Sequence, residues 1–238
     1  MKTAKFERKL CLLREYLFPT GCASCGQTLI HETEAWFGLC GDCAGSFPLS
    51  QEQRCVVCGR PLISEADICM NCRKSTQAEA APAYDSMILL YPYIGKTQTL
   101  LKAYKFGKHR ALAHFFSEKL FSSMSRFTAS WIPVPPRTGK IKTAGWDQIE
   151  HIAQILEKQM RLPVLRCLKR LASKTQKALG KSERLTNLQG RILCVKNPPE
   201  EVIIFDDVFT TGSTMNVCAR TLKDAGAKKV HGICLFYN

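Results

Sequence analysis

Four apolar residues in a row, Val202, Ile203, Ile204 and Phe205, stand directly before two aspartates, Asp206 and Asp207. An unbroken β-branched and aromatic run predicts a strand covered on both faces. Thr210, Thr211, Gly212, Ser213 and Thr214 follow, and Met215 to Ala225 then read as a helix closed by Gly226 at its C′ position. A second strand is predicted at 131–136, "WIPVPP", leading through the loop "RTGKIKTAGWDQ" into an amphipathic helix, "IEHIAQILEKQM". Upstream, "YDSMILLYPYIG" reads as a strand or hairpin, and residues 97–124 as helical material broken near Gly107. Strands alternating with helices predict an α/β domain over 84–238, a parallel sheet with helices on both faces and its loops gathered at one edge. Near the start, Phe6, Leu10, Leu13 and Leu17 share one helical face, which predicts a short docking helix within residues 1–20.

Between these parts lie the cysteines. The chain has 13, and eight form CxxC pairs: Cys22/Cys25, Cys40/Cys43, Cys55/Cys58 and Cys69/Cys72, with gaps of 14, 11 and 10 residues. Two-residue spacing lets both thiolates of a tight turn face one tetrahedral ion, and two such knuckles close a Cys₄ site. Four pairs make two structural zinc sites, a double ribbon over 21–73. Sequential pairing is favoured because each unit repeats a CxxCG knuckle followed by a CxxC without that glycine; cross-brace pairing remains open. The remaining Cys11, Cys167, Cys194, Cys218 and Cys234 read as small core hydrophobes. Residues 74–83, polar and alanine-rich, read as a linker.

Charge adds a direction. The formal net charge is +14 over 238 residues, and residues 96–196 carry 21 Lys/Arg against 5 Asp/Glu while both flanks are near neutral. A basic middle favours polyanions such as diphosphate, nucleotides or nucleic acid. No apolar run approaches membrane-spanning length, and Arg14 with Glu15 interrupts "LCLLREYLF", so a cytoplasmic protein is expected. "GKT" at 95–97 is no Walker loop, because Leu90 stands where that pattern needs glycine.

The opening stretch then acquires chemical sense. A helix start presents unpaired N–H groups and the positive end of its dipole, which suits a phosphate; hydroxyls add donors, and Gly212 permits close approach. Asp206 and Asp207 only accept hydrogen bonds, so they suit a vicinal diol or a divalent cation. Diol acceptors beside phosphate donors describe a ribose 5-phosphate site. Arg137, Lys140 and Lys142, in the loop after "WIPVPP", could neutralise a diphosphate. Residues 171–195, polar and basic with Gly180 and Gly190, read as a flap beside that site.

"VIIFDDVFTTGST" resembles the phosphoribosyl-diphosphate (PRPP) motif of type I phosphoribosyltransferases. With four CxxC pairs ahead of it, "LFPTGCASCG", "CGRPL", and Gln176, Leu179, Arg184 and Asn187, nearly the whole chain resembles the ComF family of competence-associated proteins. The resemblance implies a phosphoribosyltransferase-like domain binding PRPP with Mg²⁺. Asp206 and Asp207 would hold the ribose hydroxyls, and Thr210, Thr211, Gly212, Ser213 and Thr214 the 5-phosphate. It implies a role in DNA uptake through single-stranded DNA or competence proteins. The alternatives are transfer of ribose 5-phosphate to an unidentified acceptor and PRPP sensing by a regulator. One departure stands out: the family's Arg-Gly-Phe-Asn-Gln is Ala144, Gly145, Trp146, Asp147, Gln148 here, and a carboxylate at 147 is unfavourable beside a diphosphate unless Mg²⁺ or Lys142 offsets it.

Overall fold

The computed structural model describes residues 2–49, 53–77, 81–107, 109–136, 145–171 and 192–238. Its strands are β1 (Ser86–Pro92), β2 (Ser130–Pro133), β3 (Leu168–Arg170), β4 (Ile192–Cys194), β5 (Glu201–Phe209) and β6 (Lys229–Tyr237). β1, β6, β5 and β2 form, in that spatial order, one sheet in which every pair is parallel, and β3 and β4 form a separate antiparallel pair. The upstream apolar stretch is therefore a single strand and not a hairpin. β5 also runs past the position read from sequence. It continues through both aspartates to Phe209, because Asp206, Val208 and Phe209 still pair with Cys234, Phe236 and Tyr237 of β6.

The helices are α1 (Lys2–Leu17), α2 (Glu32–Phe37), α3 (Gly41–Gly45), α4 (Met70–Gln77), α5 (Gly95–Phe106), α6 (Leu112–Met124), α7 (Gln148–Lys158) and α8 (Ser213–Asp224). Strand alternation sends Ile203 and Phe205 into one core with α5, α6 and α7, and Val202 and Ile204 into another with α8. After β2 the chain crosses over α7 to the outer side, where Val164 pairs in parallel with Trp131. After β5 it crosses over α8 the other way, to β6. Connections that leave neighbouring strands in opposite directions open a crevice at their carboxyl ends, so β2 and β5 mark the candidate ligand edge.

The cysteine-rich region is packed into both cores. Cys22, Leu29, Leu39, Cys40 and Phe47 join Tyr91 and Phe115, while Cys55, Cys58 and Cys69 join Tyr84, Met87 and Leu89. Tyr91 donates to the Phe47 carbonyl at 3.1 Å, and Arg54 Nη1 reaches the carbonyls of Leu89 and Gly59 at 2.6 and 3.0 Å. Gly59 lies at φ +71°, and a Cβ there would come within 2.3 Å of the Met87 carbonyl oxygen. Only glycine permits this knuckle to seat on β1.

The N-terminal helix forms, and the apolar face read as its docking face is largely exposed among the described residues: Phe6 is 70% exposed and Leu17 65%. The other side is seated, with Arg8 5.7 Å from the Trp36 ring and the buried Glu15 accepting the N–H groups of Thr20 and Gly21, each at 2.7 Å. Cys218 and Cys234 are buried in α8 and β6 and Cys167 beside β3, as expected of core thiols, whereas Cys11 and Cys194 are half-buried. α4 extends into the stretch read as a linker, of which residues 78–80 lie outside the described residues.

Candidate functional site

Two four-cysteine clusters come together in sequential pairing: Cys22, Cys25, Cys40 and Cys43, and Cys55, Cys58, Cys69 and Cys72, the sulfurs of each within 4.8 Å of one another. Cys25 and Cys40 sulfurs are 3.7 Å apart, as are those of Cys58 and Cys69. A tetrahedron with Zn–S bonds of about 2.3 Å has S···S edges of about 3.8 Å, so the donor sets fit zinc. Burial opposes ionisation of Cys22, but N–H groups of Cys40, Cys25 and Ser24 outweigh it and bring the thiol down to about 7. Cys55 is brought down to about 7 likewise, by the N–H groups of Cys69, Cys58 and Val57. Each ribbon thus holds one thiol poised to be a thiolate. The sites have no open position and are structural.

At the sheet's carboxyl edge, alternation along β5 sends the two aspartates toward different neighbours. Asp207, buried, receives Lys105 Nζ from α5 at 2.7 Å and the side-chain amide of Gln148 from the start of α7. Asp206 lies toward α8, with Cys218, Cys234 and Arg170 as its electrostatic neighbours. Its carboxyl is pushed up to about 8, first by burial and then by the charge of Asp207; the Asp207 N–H, Lys105 and Arg170 pull the other way. The site therefore presents one paired carboxylate and one that resists ionisation until a ligand compensates it.

α7 is held for this task. Asp147 is its N-cap, its Oδ1 accepting the N–H groups of Ile149 and Glu150 at 2.9 and 3.0 Å. The Tyr104 hydroxyl donates to the Gln148 carbonyl at 2.8 Å. Aspartate and asparagine cap helices about equally, so the departure at 147 preserves the start of α7.

The hydroxyl loop follows. Gly212 takes φ +78° as the N-cap of α8, and a Cβ there would strike the Phe209 ring at 2.7 Å. Thr211 and Ser213 hydroxyls pair with each other at 2.8 Å. Thr210, Thr211, Gly212 and Ser213 line a cleft of about 550 Å³ whose opposite wall is the second ribbon, including Arg60, Asn71 and Lys74. Thr214 stands in the first turn of α8.

Of the residues read from sequence, both cysteine sets come together, the aspartates lie within the carboxyl-terminal part of β5, and the hydroxyl loop leads into α8. Arg137, Lys140, Lys142 and Ala144, and residues 172–191 of the flap with Gln176, Leu179, Arg184 and Asn187, lie outside the described residues, while the end of the stretch read as a flap is β4. Lys105, Gln148, Arg170 and Arg60 went unrecognised as site residues. A buried stripe of Leu100, Leu101 and Tyr104 places Lys105 at the edge of the inward face of α5, a faint signal that only the fold makes specific.

Comparison with known proteins agrees with this layout. Residues 13–76 match the family described as double zinc ribbon domain. The chain is 28% identical over 210 residues to competence protein F of Haemophilus influenzae, covering 81% of this chain and 87% of that protein. It is 23% identical over 222 residues to competence protein ComFC of Streptococcus pneumoniae, covering 88% and 96%. With ComFC of Bacillus subtilis it shares 26% over 200 residues, 79% of each. A purine phosphoribosyltransferase from Pyrococcus horikoshii overlaps 53% of this chain and 80% of its own at 17% identity, with a TM-score of 0.32, too low to bear weight. A double zinc ribbon joined to a parallel sheet with helices on both faces is thus the class of protein. Over most of its length the chain is similar to competence proteins of the ComF type.

Proposed function

We propose that the protein binds PRPP or a related phosphoribosyl ligand at the β2/β5 edge and acts in DNA uptake during natural competence, in the cytoplasm, through single-stranded DNA or competence proteins. The observation that carries the reading is the pairing of an acidic strand end with a hydroxyl-rich helix start beside the sheet's switch point. Asp206 and Asp207 accept the ribose hydroxyls, and Thr210 through Thr214 hold the 5-phosphate. Mg²⁺ accompanies the diphosphate; adjacent carboxylates are a donor set suited to a hard cation, and the charge that burial and Asp207 deny to Asp206 is the charge such an ion restores. Arg137, Lys140 and Lys142 are assigned to the diphosphate. The balance of 21 basic to 5 acidic residues over 96–196 supports a nucleic-acid partner.

A second reading, an active phosphoribosyltransferase, is favoured by the intact acidic pair and by the cap that keeps Gln148 against Asp207. The bond from the anomeric carbon to diphosphate would break as one to the acceptor forms, with cations stabilising the leaving oxygen. Calorimetry with PRPP and Mg²⁺ tests the shared step, and diphosphate release on adding acceptors separates binding from transfer. Oligonucleotide binding measured against salt tests the nucleic-acid arm through the exposed Lys96 and Lys102 of α5. Absence of PRPP binding at millimolar ligand defeats the ligand reading. Salt-independent oligonucleotide binding defeats the other.

A further inference from the structure

The second ribbon does more than cover the sheet: its surface forms one wall of the cleft whose other wall is the hydroxyl loop. Among the described residues two cations, Arg60 and Lys74, line that cleft and no Asp or Glu does. The Arg60 guanidinium lies 5.7 Å from the Phe209 ring centre and donates one Nη to the Thr210 carbonyl, while its buried Nε–H has no partner among the described residues. Among the described residues Arg60 pairs with no carboxylate, although it lies 150 positions from the loop it touches. A guanidinium brought this far, half-buried and short of one partner, has donors to spare for an anion.

The knuckle itself aims this side chain. The Arg60 N–H points at the Cys58 sulfur and its carbonyl accepts the Cys55 N–H at 2.8 Å. Gly59 seats the same turn on Met87 of β1. A zinc ion holding Cys55 and Cys58 therefore fixes the backbone from which the guanidinium departs. A Cys₄–zinc centre also carries two net negative charges. Without Arg60 and Lys74 it would repel any anion resting on the loop, so these cations both screen the ribbon and face the ligand.

We propose that the cleft is a phosphate site shared between the two halves of the protein, in which Arg60, assisted by Lys74, contacts the phosphate monoester held by Thr210–Ser213. The zinc ribbon is thereby part of the ligand site. This rests on reading 210–214 as a phosphate loop, and it adds the residues that reach that phosphate from outside the phosphoribosyltransferase-like domain.

The test is calorimetric titration of the zinc-loaded full chain with ribose 5-phosphate and with ribose, at two salt concentrations, for the wild type, Arg60→Gln, Arg60→Lys and Lys74→Gln. Zinc content and melting temperature are measured alongside. Arg60→Gln is expected to weaken ribose 5-phosphate binding about 10- to 100-fold and to flatten its salt dependence, with two zinc ions retained. Arg60→Lys keeps the charge but not the fork and should fall between. Should Arg60→Gln lose zinc or fail to fold, Arg60→Lys and Lys74→Gln carry the comparison. Wild-type affinity and salt dependence in every folded variant overturns the shared site and leaves the phosphate-loop reading standing. A wild type blind to the phosphate, binding ribose 5-phosphate no better than ribose, overturns that reading and this inference with it.

Discussion

Replacing Asp206 by asparagine should stabilise the unliganded protein, and by more as pH rises. An ordinary aspartate ionises near 3.8, whereas this one holds its proton to about 8 because of burial and the neighbouring Asp207. Between those values the folded chain binds more protons than the unfolded chain. Folding stability from this group is therefore present at low pH and is lost as pH rises through about 8. Asparagine keeps the shape and has nothing to ionise. Each tenfold change in proton affinity corresponds to about 1.4 kcal/mol, but the proton shared with Asp207 and the pull of Lys105 and Arg170 reduce the net effect. A gain of about 1–3 kcal/mol near pH 8, fading toward pH 4, is the expected size, or about 2–4 °C in melting temperature per kcal/mol for a chain of this length. The assay is thermal melting of both proteins from pH 5 to 8.5, with PRPP calorimetry at pH 7.5. The stabilised variant should bind PRPP about 10- to 100-fold more weakly. A difference in melting temperature that does not widen with pH, or a destabilised variant, refutes the placement of this carboxyl in a charge-averse setting.

Two further outcomes follow from the packing. The protein should carry about two zinc ions, and chelation should lower the stability of the sheet as well as the ribbons, since Cys55, Cys58 and Cys69 share a core with Met87 and Leu89; hydrogen exchange that stays unchanged along β1 after chelation contradicts this. Lys105→Gln removes the 2.7 Å partner of a largely buried carboxylate and should cost about 1–3 kcal/mol in urea denaturation, with no loss expected if Asp207 were solvated.

The elements with strong local patterns were legible in the sequence. The apolar run at 202–205, the knuckle spacing and the glycines at 212 and 226 each state their conformation within a few residues, and the fold agrees with them. What the sequence conceals is what depends on partners far along the chain. That β5 continues through Asp206 and Asp207 depends on pairing with β6, which overrides the poor strand propensity of aspartate. Whether Lys105 faces solvent or Asp207 is decided by how α5 rotates on the sheet, and Arg60 meets Thr210 only because a zinc knuckle lands on β1. In α1 periodicity identified the helix, while the side seated on the rest of the chain, with Arg8 and Glu15, follows from contacts that periodicity does not reveal. That Asp147 caps α7 depends on where the helix begins, which the local pattern does not state.

The position of β6 bears on how the protein is assembled. It stands between β1 and β5, and its residue His231 pairs with Ser86, 145 positions earlier, so the sheet stays in two pieces until the last strand slides in between. Until then the facing edges of β1 and β5 offer unpaired backbone groups on apolar strands, an invitation to pair with other chains. The second ribbon, whose ligands lie earlier in the chain, can fold around its ion first and grip the backbone of β1 through Arg54 and Gly59. A cell short of zinc would then meet this protein's failure first as aggregation of nascent chains, before any mature molecule lost its ligand.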